Sequence, residues 1–301
     1  MSRVLVLLSS FNGALYLEEQ LDSLLNQRDI DVQILVRDDG STDATKEILV
    51  KYESTGKLRW YAGENIGWRK SFMHLALSAP ACQYYAFCDQ DDIWMPNKLF
   101  EAVSKLENSN FKTDKHLYFS NLFFWKNGKN MGLVKRSTLN LSRQSCIYQN
   151  PAVGCTIVFN KELLDFIKSR PFYDVYAHDF WFFLTAFFLG DVVYDSNAYI
   201  LYRQHDNNQI GIKKGLLSKW IKRVSNFIKA NCNLERSQNA WNFLSVYGDC
   251  LKPDDYKMFD LVANYKKTFL KKMSLLISPY YTMNAVINTV LLKIRILFNR
   301  F

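Results

Sequence analysis

Short apolar runs alternate with segments of helical periodicity along the N-terminal part of the chain. The runs occupy residues 4–8, 32–36, 58–61 and 84–88. All but the third are bounded by polar residues, as strands buried inside a parallel sheet are. Leucines follow the first run at near-helical spacing, and Ser41 or Thr42 stands where it can cap the second helix. This β-α-β-α order predicts an α/β fold with a parallel, doubly wound sheet and right-handed crossovers.

Acidic residues follow two of these runs directly. Asp38 and Asp39 end the second run, and residues 89–92 (DQDD, the acidic loop) follow the fourth. Ligands bind at the carboxyl edge of open α/β sheets, so the two clusters are predicted to converge on one crevice. Three carboxylates within four residues repel one another unless a cation neutralises them, and Mg²⁺ or Mn²⁺ takes such oxygen ligands with substrate phosphates. A solvated acidic turn is the alternative.

The middle of the chain continues the pattern with a strand at residues 118–124 and a glycine-containing loop at Gly154 that enters a further strand. His178 and Asp179 then open an aromatic stretch of helical character, and a later strand ends at Arg203, two residues before His205. Each polar residue has a plain structural alternative: a tight turn for Gly154, a helix N-cap for Asp179 and a surface residue for His205.

Charge is spread unevenly over the 301 residues, whose formal net charge is +9. The first 212 residues carry 22 Lys/Arg against 24 Asp/Glu, whereas the remainder carries 16 Lys/Arg against 5 Asp/Glu. This shift predicts two parts, a catalytic domain at residues 1–212 and a basic, amphipathic helical extension at 213–301. Residues 216–230 space apolar side chains on one helical face, which favours contact with an anionic membrane surface. Residues 275–301 suit either a bilayer or packing on the catalytic domain.

Several classes of protein are disfavoured. Nucleic-acid binding is disfavoured because no recognised nucleic-acid module accompanies the basic charge. Six cysteines without a CxxC pair indicate free thiols in a reducing compartment. The first apolar run is too short for a signal peptide, and no stretch of eighteen or more clean apolar residues predicts a membrane span. The expected location is the cytoplasm or the cytoplasmic face of a membrane.

The segments SSFNG, RDDGSTD, ENIGW and DQDD together strongly resemble the family 2 glycosyltransferases with a GT-A fold. The resemblance covers about residues 1–212. It implies a mainly parallel, Rossmann-like sheet and a nucleotide-sugar donor whose diphosphate is held through a divalent metal, Mg²⁺ or Mn²⁺. By this likeness Asp91 ligates the metal with His205, and Asp89 lies near the nucleotide ribose.

The same resemblance assigns the rest of the donor site. Ser9, Phe11, Asp38 and Asp39 are expected to bind the nucleotide, and Arg203 to neutralise the departing diphosphate. Phe11 stands where many relatives carry tyrosine, so ring stacking on the base is expected without a hydroxyl contact.

On the acceptor side, the resemblance makes Asp179 the catalytic base that takes the proton of the acceptor hydroxyl, since a carboxylate in an apolar setting gains basicity. Four further residues are candidates for an acceptor or sugar pocket: Trp94, Gly154, His178 and Trp181. A core aromatic is an equal interpretation for Trp181.

The motifs are most similar to those of bacterial rhamnosyltransferases that build O-antigen, lipopolysaccharide or cell-wall polysaccharide. The expected function is therefore metal-dependent, inverting transfer of L-rhamnose from dTDP-L-rhamnose to a polyprenyl-diphosphate-linked saccharide. A UDP-hexose or UDP-N-acetylhexosamine donor is the alternative. A phosphatase is disfavoured because its acidic motif belongs on the first strand, and a nucleotidyltransferase because SSFNG lacks a basic, glycine-rich loop. Intact acidic motifs argue against a catalytically inactive membrane-bound scaffold.

Overall fold

The computed structural model describes residues 1–134, 142–171, 177–204, 236–283 and 286–301, and these fall into two units. The first unit comprises residues 1–134, 152–170 and 177–204; the second comprises 142–151, 171, 236–283 and 286–301. Residues 142–151 thus join the C-terminal part. The predicted boundary at residue 212, the basic stretch 213–230 and His205 lie outside the described residues, so the domain limits stay a prediction.

The first unit is built on a sheet of nine strands. Its N-terminal half consists of β1 (Arg3–Ser10), β2 (Asp31–Asp38), β3 (Leu58–Ala62) and β4 (Tyr84–Cys88). These strands are all parallel and lie in the order β3-β2-β1-β4. The α/β prediction and all four N-terminal strands are confirmed. The apolar runs are strands because both faces of this half are covered, and every residue of β4 is buried.

Beyond β4 the sheet becomes mixed. The further strands are β5 (Ile93–Trp94), β6 (His116–Lys126), β7 (Lys129–Leu133), β8 (Val158–Asn160) and β9 (Asp191–Arg203). The order continues β4-β8-β6-β9-β5, with β7 on β6. β6 and β9 are parallel, whereas β8 runs antiparallel to both β4 and β6. The N-terminal half of the sheet is therefore wholly parallel, whereas its second half combines parallel and antiparallel pairs.

Helices flank this sheet along the chain. They are α1 (Leu17–Leu25), α2 (Thr45–Glu53), α3 (Trp68–Ser78), α4 (Lys98–Asn108), α5 (Arg143–Cys146, in the second unit), α6 (Lys161–Lys168) and α7 (His178–Leu189). The predicted cap at Ser41 or Thr42 is wrong, because α2 begins at Thr45. The carboxylate of Asp43 instead accepts a hydrogen bond from the Thr45 N–H at 3.1 Å.

The second unit is helical. With α5 it contains α8 (Arg236–Tyr247), α9 (Pro253–Ala263), α10 (Phe269–Ile277) and α11 (Val286–Leu297). The Arg143 guanidinium forms a bidentate ion pair with Asp255 at 2.9 and 2.6 Å, which ties α5 to α9. The rings of Phe243 and Phe259 stack at 4.7 Å between α8 and α9. Among the helices of the described residues, none has the length and apolar character needed to cross a bilayer.

Candidate active site

The side chain of Gln90 ties the acidic loop to the loop after β1. Its Oε1 accepts a hydrogen bond from the Phe11 N–H at 2.8 Å, and its Nε2 donates to the Phe11 carbonyl at 3.1 Å. Gly13 makes this contact feasible, because a Cβ there would lie 2.3 Å from Gln90 Oε1. Sequence reasoning missed this role, since the middle residue of DQD carries no charge that would draw attention to it.

Asp38 is buried at the end of β2 and is held inside its own loop. Its carboxylate accepts hydrogen bonds from the Ser41 N–H at 3.0 Å and from the Ser10 hydroxyl at 3.3 Å. The Lys46 ammonium lies 4.0 Å away. Asp38 therefore stabilises the loop that carries Asp39.

Asp39 joins the loops that follow β2 and β3. It is buried, forms an ion pair with Arg37, and accepts hydrogen bonds from the Gly67 and Ile66 N–H groups at 2.9 and 3.2 Å. These bonds fix the ENIGW segment at the start of α3. Ser9 lies on the same edge, with its hydroxyl 2.6 Å from that of Ser71 on α3.

The four residues predicted to bind the nucleotide thus lie at adjoining strand ends, β1 and β2, which are paired along their full length. Ser9, Asp38 and Asp39 all bond to neighbouring side chains or backbone groups. Phe11 differs, because 43% of its surface is exposed. An exposed ring on this edge can stack on a planar base.

The acidic loop concentrates negative charge. Asp89 and Asp91 are half-buried and Asp92 is completely buried. The pKa of Asp89 is raised to about 7, mainly by desolvation and then by the negative charges of Asp91 and Asp179. Burial, followed by the charges of Asp91 and Asp89, raises the pKa of Asp92 well above its usual value. The negative charges of Asp89 and Asp92 are therefore poorly compensated by the surrounding protein.

Arg203 organises this loop from the end of β9. Its N–H donates to Asp92 Oδ1 at 3.1 Å, and its Nε donates to the Asp91 carbonyl at 2.9 Å. The guanidinium also pairs with Glu19 and lies 4.7 Å from the centroid of the Tyr16 ring. The residue predicted to meet the diphosphate therefore lies against the acidic loop and holds its backbone.

The donor set fits a divalent cation. Among the described residues, one group of three potential ligands, Asp89, Asp92 and Cys155, has its donor atoms within 4.8 Å of one another. Asp92 Oδ2 is buried, with no hydrogen-bond partner among the described residues. An uncompensated buried carboxylate oxygen beside further carboxylates is a setting that a cation would stabilise. Sequence reasoning centred on Asp91 and gave Asp92 no ligand role, and the second predicted ligand, His205, lies outside the described residues.

The turn Gly154–Thr156 connects the acidic loop with the predicted base. A Cβ on Gly154 would lie 3.6 Å from the Asp179 Cβ and 3.1 Å from His178 Nε2, so this glycine packs directly against the start of α7. The next residue, Cys155, lies beside Asp89 and Asp92. Asp179 is half-buried in the first turn of α7, and its Oδ1 accepts the Phe180 N–H at 2.7 Å. The structure therefore brings Asp179 and the acidic loop together.

His178 is enclosed by aromatic rings. It stacks on Phe72 at 4.2 Å and meets Phe87 edge-on at 4.7 Å, and only 3% of it is exposed. Neither ring nitrogen has a hydrogen-bond partner among the described residues. Burial lowers the pKa of His178 to about 3, so the imidazole is neutral at physiological pH. His178 supports Asp179 from the core and does not line an open surface.

Trp94 and Trp181, predicted as candidates for an acceptor pocket, are also core residues with 2% exposure each. The Lys98 ammonium lies 3.4 Å from the centroid of the Trp94 ring and is completely buried. Sequence reasoning missed Lys98, because lysine is almost never fully buried. Both tryptophan rings therefore pack in the core of the protein.

Known proteins resemble this chain in sequence and in fold. Over 226 aligned residues the chain is 29% identical to the dTDP-rhamnosyl transferase RfbG of Shigella flexneri, an alignment that covers 71% of this chain and 76% of that protein. S. aureus TarS 1-349 in complex with UDP-GlcNAc superimposes with a TM-score of 0.57 at 17% identity, covering 98% of this chain and 81% of that one. The mannosyltransferase PcManGT from Pyrobaculum calidifontis, in complex with GDP-Man and Mn²⁺, gives a TM-score of 0.52 at 18% identity, covering 99% and 86%.

These likenesses confirm the predicted GT-A fold with C-terminal helices. The sequence model of glycosyl transferase family 2 matches residues 5–167, more than half of the chain, and the chain therefore belongs to that family.

Proposed function

We propose that this glycosyltransferase is metal-dependent and inverting, and that it moves L-rhamnose from dTDP-L-rhamnose to a lipid-linked saccharide. The main observation in support of this mechanism is that Asp179 lies close to the acidic loop, with the turn Gly154–Thr156 packed between them. A carboxylate base beside a site for a diphosphate and its counter-ion is the arrangement that glycosyl transfer to a hydroxyl requires.

In the proposed reaction the acceptor hydroxyl oxygen attacks the anomeric carbon of the donor sugar from the side opposite the diphosphate. The bond between that carbon and the diphosphate oxygen breaks, and the hydroxyl proton passes to Asp179. One displacement inverts the anomeric centre. The Phe180 N–H, 2.7 Å from Asp179 Oδ1, orients the carboxylate towards this task.

A divalent cation at the acidic loop would neutralise the diphosphate as it leaves. We assign Asp91 and Asp89 to binding of the cation and the donor. Asp92 is the buried carboxylate behind them. Arg203 holds the backbone of this loop through Asp91 and Asp92, so its proposed contact with the diphosphate would add to a positioning role. Mn²⁺ in the PcManGT complex supports a metal of this kind.

The nucleotide is proposed to lie on the edge formed by the ends of β1 and β2. The exposed Phe11 ring would stack on the base, and Ser9 and Asp39 would border it. Asp38 would act indirectly by holding the loop of Asp39.

The rhamnose donor is supported by the 29% identity to the Shigella flexneri dTDP-rhamnosyl transferase. A UDP-hexose or UDP-N-acetylhexosamine donor is the alternative, in keeping with the UDP-GlcNAc bound by TarS. For the acceptor we propose a polyprenyl-diphosphate-linked intermediate of polysaccharide assembly, such as O-antigen, at the cytoplasmic face of the inner membrane.

A thermal-shift panel tests the donor and the metal together. Wild type and Asp91→Ala are heated with dTDP-rhamnose, UDP-hexoses or UDP-N-acetylhexosamines, each with Mn²⁺, Mg²⁺ or EDTA. A ligand raises the melting temperature only through its preference for the folded state. Metal-dependent stabilisation by dTDP-rhamnose, lost in Asp91→Ala, supports the proposal. Stabilisation by a UDP-sugar alone rejects rhamnose, and the absence of any metal-dependent response rejects the donor site.

Asp179→Asn tests the base separately. The amide oxygen can still accept the Phe180 N–H, so donor binding should persist while kcat falls by about 10²–10⁴-fold. Full activity in this variant would rule out Asp179 as the base. The anomeric configuration of the product, read by NMR, decides between inversion and retention.

A further inference from the structure

Helix α10 carries apolar side chains on two opposite sides. Leu275 is completely buried, whereas Phe269, Leu270 and Ile277 are 75%, 78% and 73% exposed. At 3.6 residues per turn, the exposed three lie within about 100° of one another, and Leu275 lies about 120° or more from each. A helix that is apolar both towards its core and towards solvent has one face without a partner among the described residues.

Helix α11 repeats this arrangement. Val286, Val290 and Leu297 are 83%, 51% and 52% exposed and fall within about 40° on the helix. Leu292 and Ile296 supply its buried side. The exposed residues therefore form a continuous stripe along the whole helix rather than scattered single side chains, which are normal on any surface.

Lys293 joins the two helices. Its ammonium donates hydrogen bonds to the carbonyl oxygens of Ser278, at 3.0 Å, and of Leu275. These carbonyls belong to the end of α10, whose last turn leaves such groups unsatisfied. These hydrogen bonds connect the two helices that carry six exposed apolar residues, here called the hairpin surface: Phe269, Leu270, Ile277, Val286, Val290 and Leu297.

Positive charge predominates in the segment that carries these residues. Residues 261–301 contain seven Lys/Arg and no Asp/Glu. Lys271 forms an ion pair with Asp260 at 2.6 Å, and Lys266 and Lys267 are exposed just before the start of α10. Apolar side chains surrounded by lysine and arginine, with Phe and Tyr among them, are typical of helices that lie in the interface of an anionic bilayer.

We infer that the hairpin surface is a lipid-binding site that inserts into the headgroup region of an anionic membrane. Helices of nine and twelve residues reach only about 14 and 18 Å, less than the ~30 Å hydrocarbon core, so they lie along the surface. A second copy of this chain fits less well, because two segments that each contain seven Lys/Arg and no Asp/Glu (residues 261–301) would face each other.

The inference stands apart from the donor and the reaction, although a lipid-linked acceptor would give the surface a use. Full-length protein is sedimented with phosphatidylethanolamine vesicles that contain phosphatidylglycerol, or with neutral phosphatidylcholine vesicles. Wild type should bind the anionic vesicles, and high salt should weaken binding. Leu270→Asp and Val290→Asp should each weaken it about tenfold or more, because each withdraws one apolar side chain from the bilayer.

Val50→Asp on α2 is the matched control, since Val50 is 57% exposed and Val290 51%. It should bind as wild type does. Circular dichroism and donor-induced thermal shift verify that all variants fold, so loss of lipid binding is distinguishable from loss of the proposed enzymatic function. Equal binding by wild type, Leu270→Asp and Val290→Asp would overturn the inference. So would lipid-free self-association that the two variants abolish, since it would assign the surface to a second copy.

Discussion

Replacing Lys98 with methionine should stabilise the protein at neutral pH. The lysine is completely buried, and its Nζ has no hydrogen-bond partner among the described residues. Burial lowers its pKa from 10.5 to about 7. The nearby thiols of Cys88 and Cys155 provide no counter-charge, because burial raises the pKa of each well above 9.0 and keeps both neutral.

The magnitude follows from two opposing effects. A change in pKa from 10.5 to about 7 corresponds to about 5 kcal/mol of desolvation cost for the charged form. The Trp94 ring, 3.4 Å from Nζ, opposes this with a cation–π attraction of about 2 kcal/mol. Methionine fills a similar volume and places a polarisable sulfur over the ring. Lys98→Met should therefore gain about 3 kcal/mol in free energy of unfolding at pH 7.

The gain should shrink as pH rises. Between the folded and unfolded pKa values of Lys98, the unfolded chain binds more protons than the folded protein, so the stability of wild type increases with pH. The penalty is fully present below the folded value and disappears above the unfolded one. Integrating this linkage from about pH 7 to about pH 9.5 gives about 3 kcal/mol of wild-type stabilisation by this residue, which Lys98→Met should lack.

Urea unfolding at both pH values, followed by tryptophan fluorescence, measures these differences. Lys105→Met is the matched control, because Lys105 is exposed on the same helix, α4. It should shift the free energy of unfolding by no more than about 0.5 kcal/mol at either pH. If Lys98→Met is less stable than wild type at neutral pH and keeps the same pH dependence, the attraction to Trp94 exceeds desolvation and the reasoning is refuted.

Three further substitutions probe the site and the sheet. In urea unfolding at about pH 5, His178→Phe should be about 2 kcal/mol more stable than wild type. The pKa of His178 is about 3 in the folded protein and 6.5 in the unfolded chain, so wild type loses stability as the pH falls from 6.5 towards 3. In Gly190→Ala the new Cβ would lie 2.4 Å from the Lys115 carbonyl oxygen, so the free energy of unfolding in urea should fall by more than about 2 kcal/mol. Gly128→Ala is its control. There the Cβ has open space but φ is +72°, so the free energy of unfolding should fall by only about 1 kcal/mol. Gly154→Ala should lower kcat about tenfold in steady-state assays, because the new Cβ would lie 3.1 Å from His178 Nε2 and displace the start of α7. An unchanged kcat would contradict the proposed role of the contact between Gly154 and α7.

The N-terminal half of the fold was predictable because its signals are local. Each apolar run became a strand, and the acidic residues at the ends of β2 and β4 stayed at one sheet edge. The antiparallel pairing of β8 with β4 was not predictable, because it joins segments about seventy residues apart that carry no mutual signal. The same holds for residues 142–151, which join the second unit through the Arg143–Asp255 pair.

The candidate site was predictable where charge marks it and not where packing decides. The acidic loop, Asp179 and Arg203 stand out as polar residues beside apolar runs. Trp94 and Trp181 carry no sequence signal that separates a core ring from a pocket wall, and the structure buries both. Lys98 is completely buried, whereas lysine is ordinarily exposed. No pattern of apolar and polar positions could therefore have assigned it to the interior.

The buried polar groups around the turn Gly154–Thr156 argue that this turn, rather than the acidic motif alone, is the centre of the site. Asp92 lies beside Cys155, His178 lies against Gly154, and the Lys98 ammonium interacts electrostatically with the Cys155 thiol. Burial disfavours the ionised form of all three, so each is a departure from the apolar packing that stability alone favours. Such departures are expected where chemistry constrains geometry. Their concentration at one turn, between Asp179, the proposed base, and the acidic loop, therefore indicates that the turn sets the distance between the two.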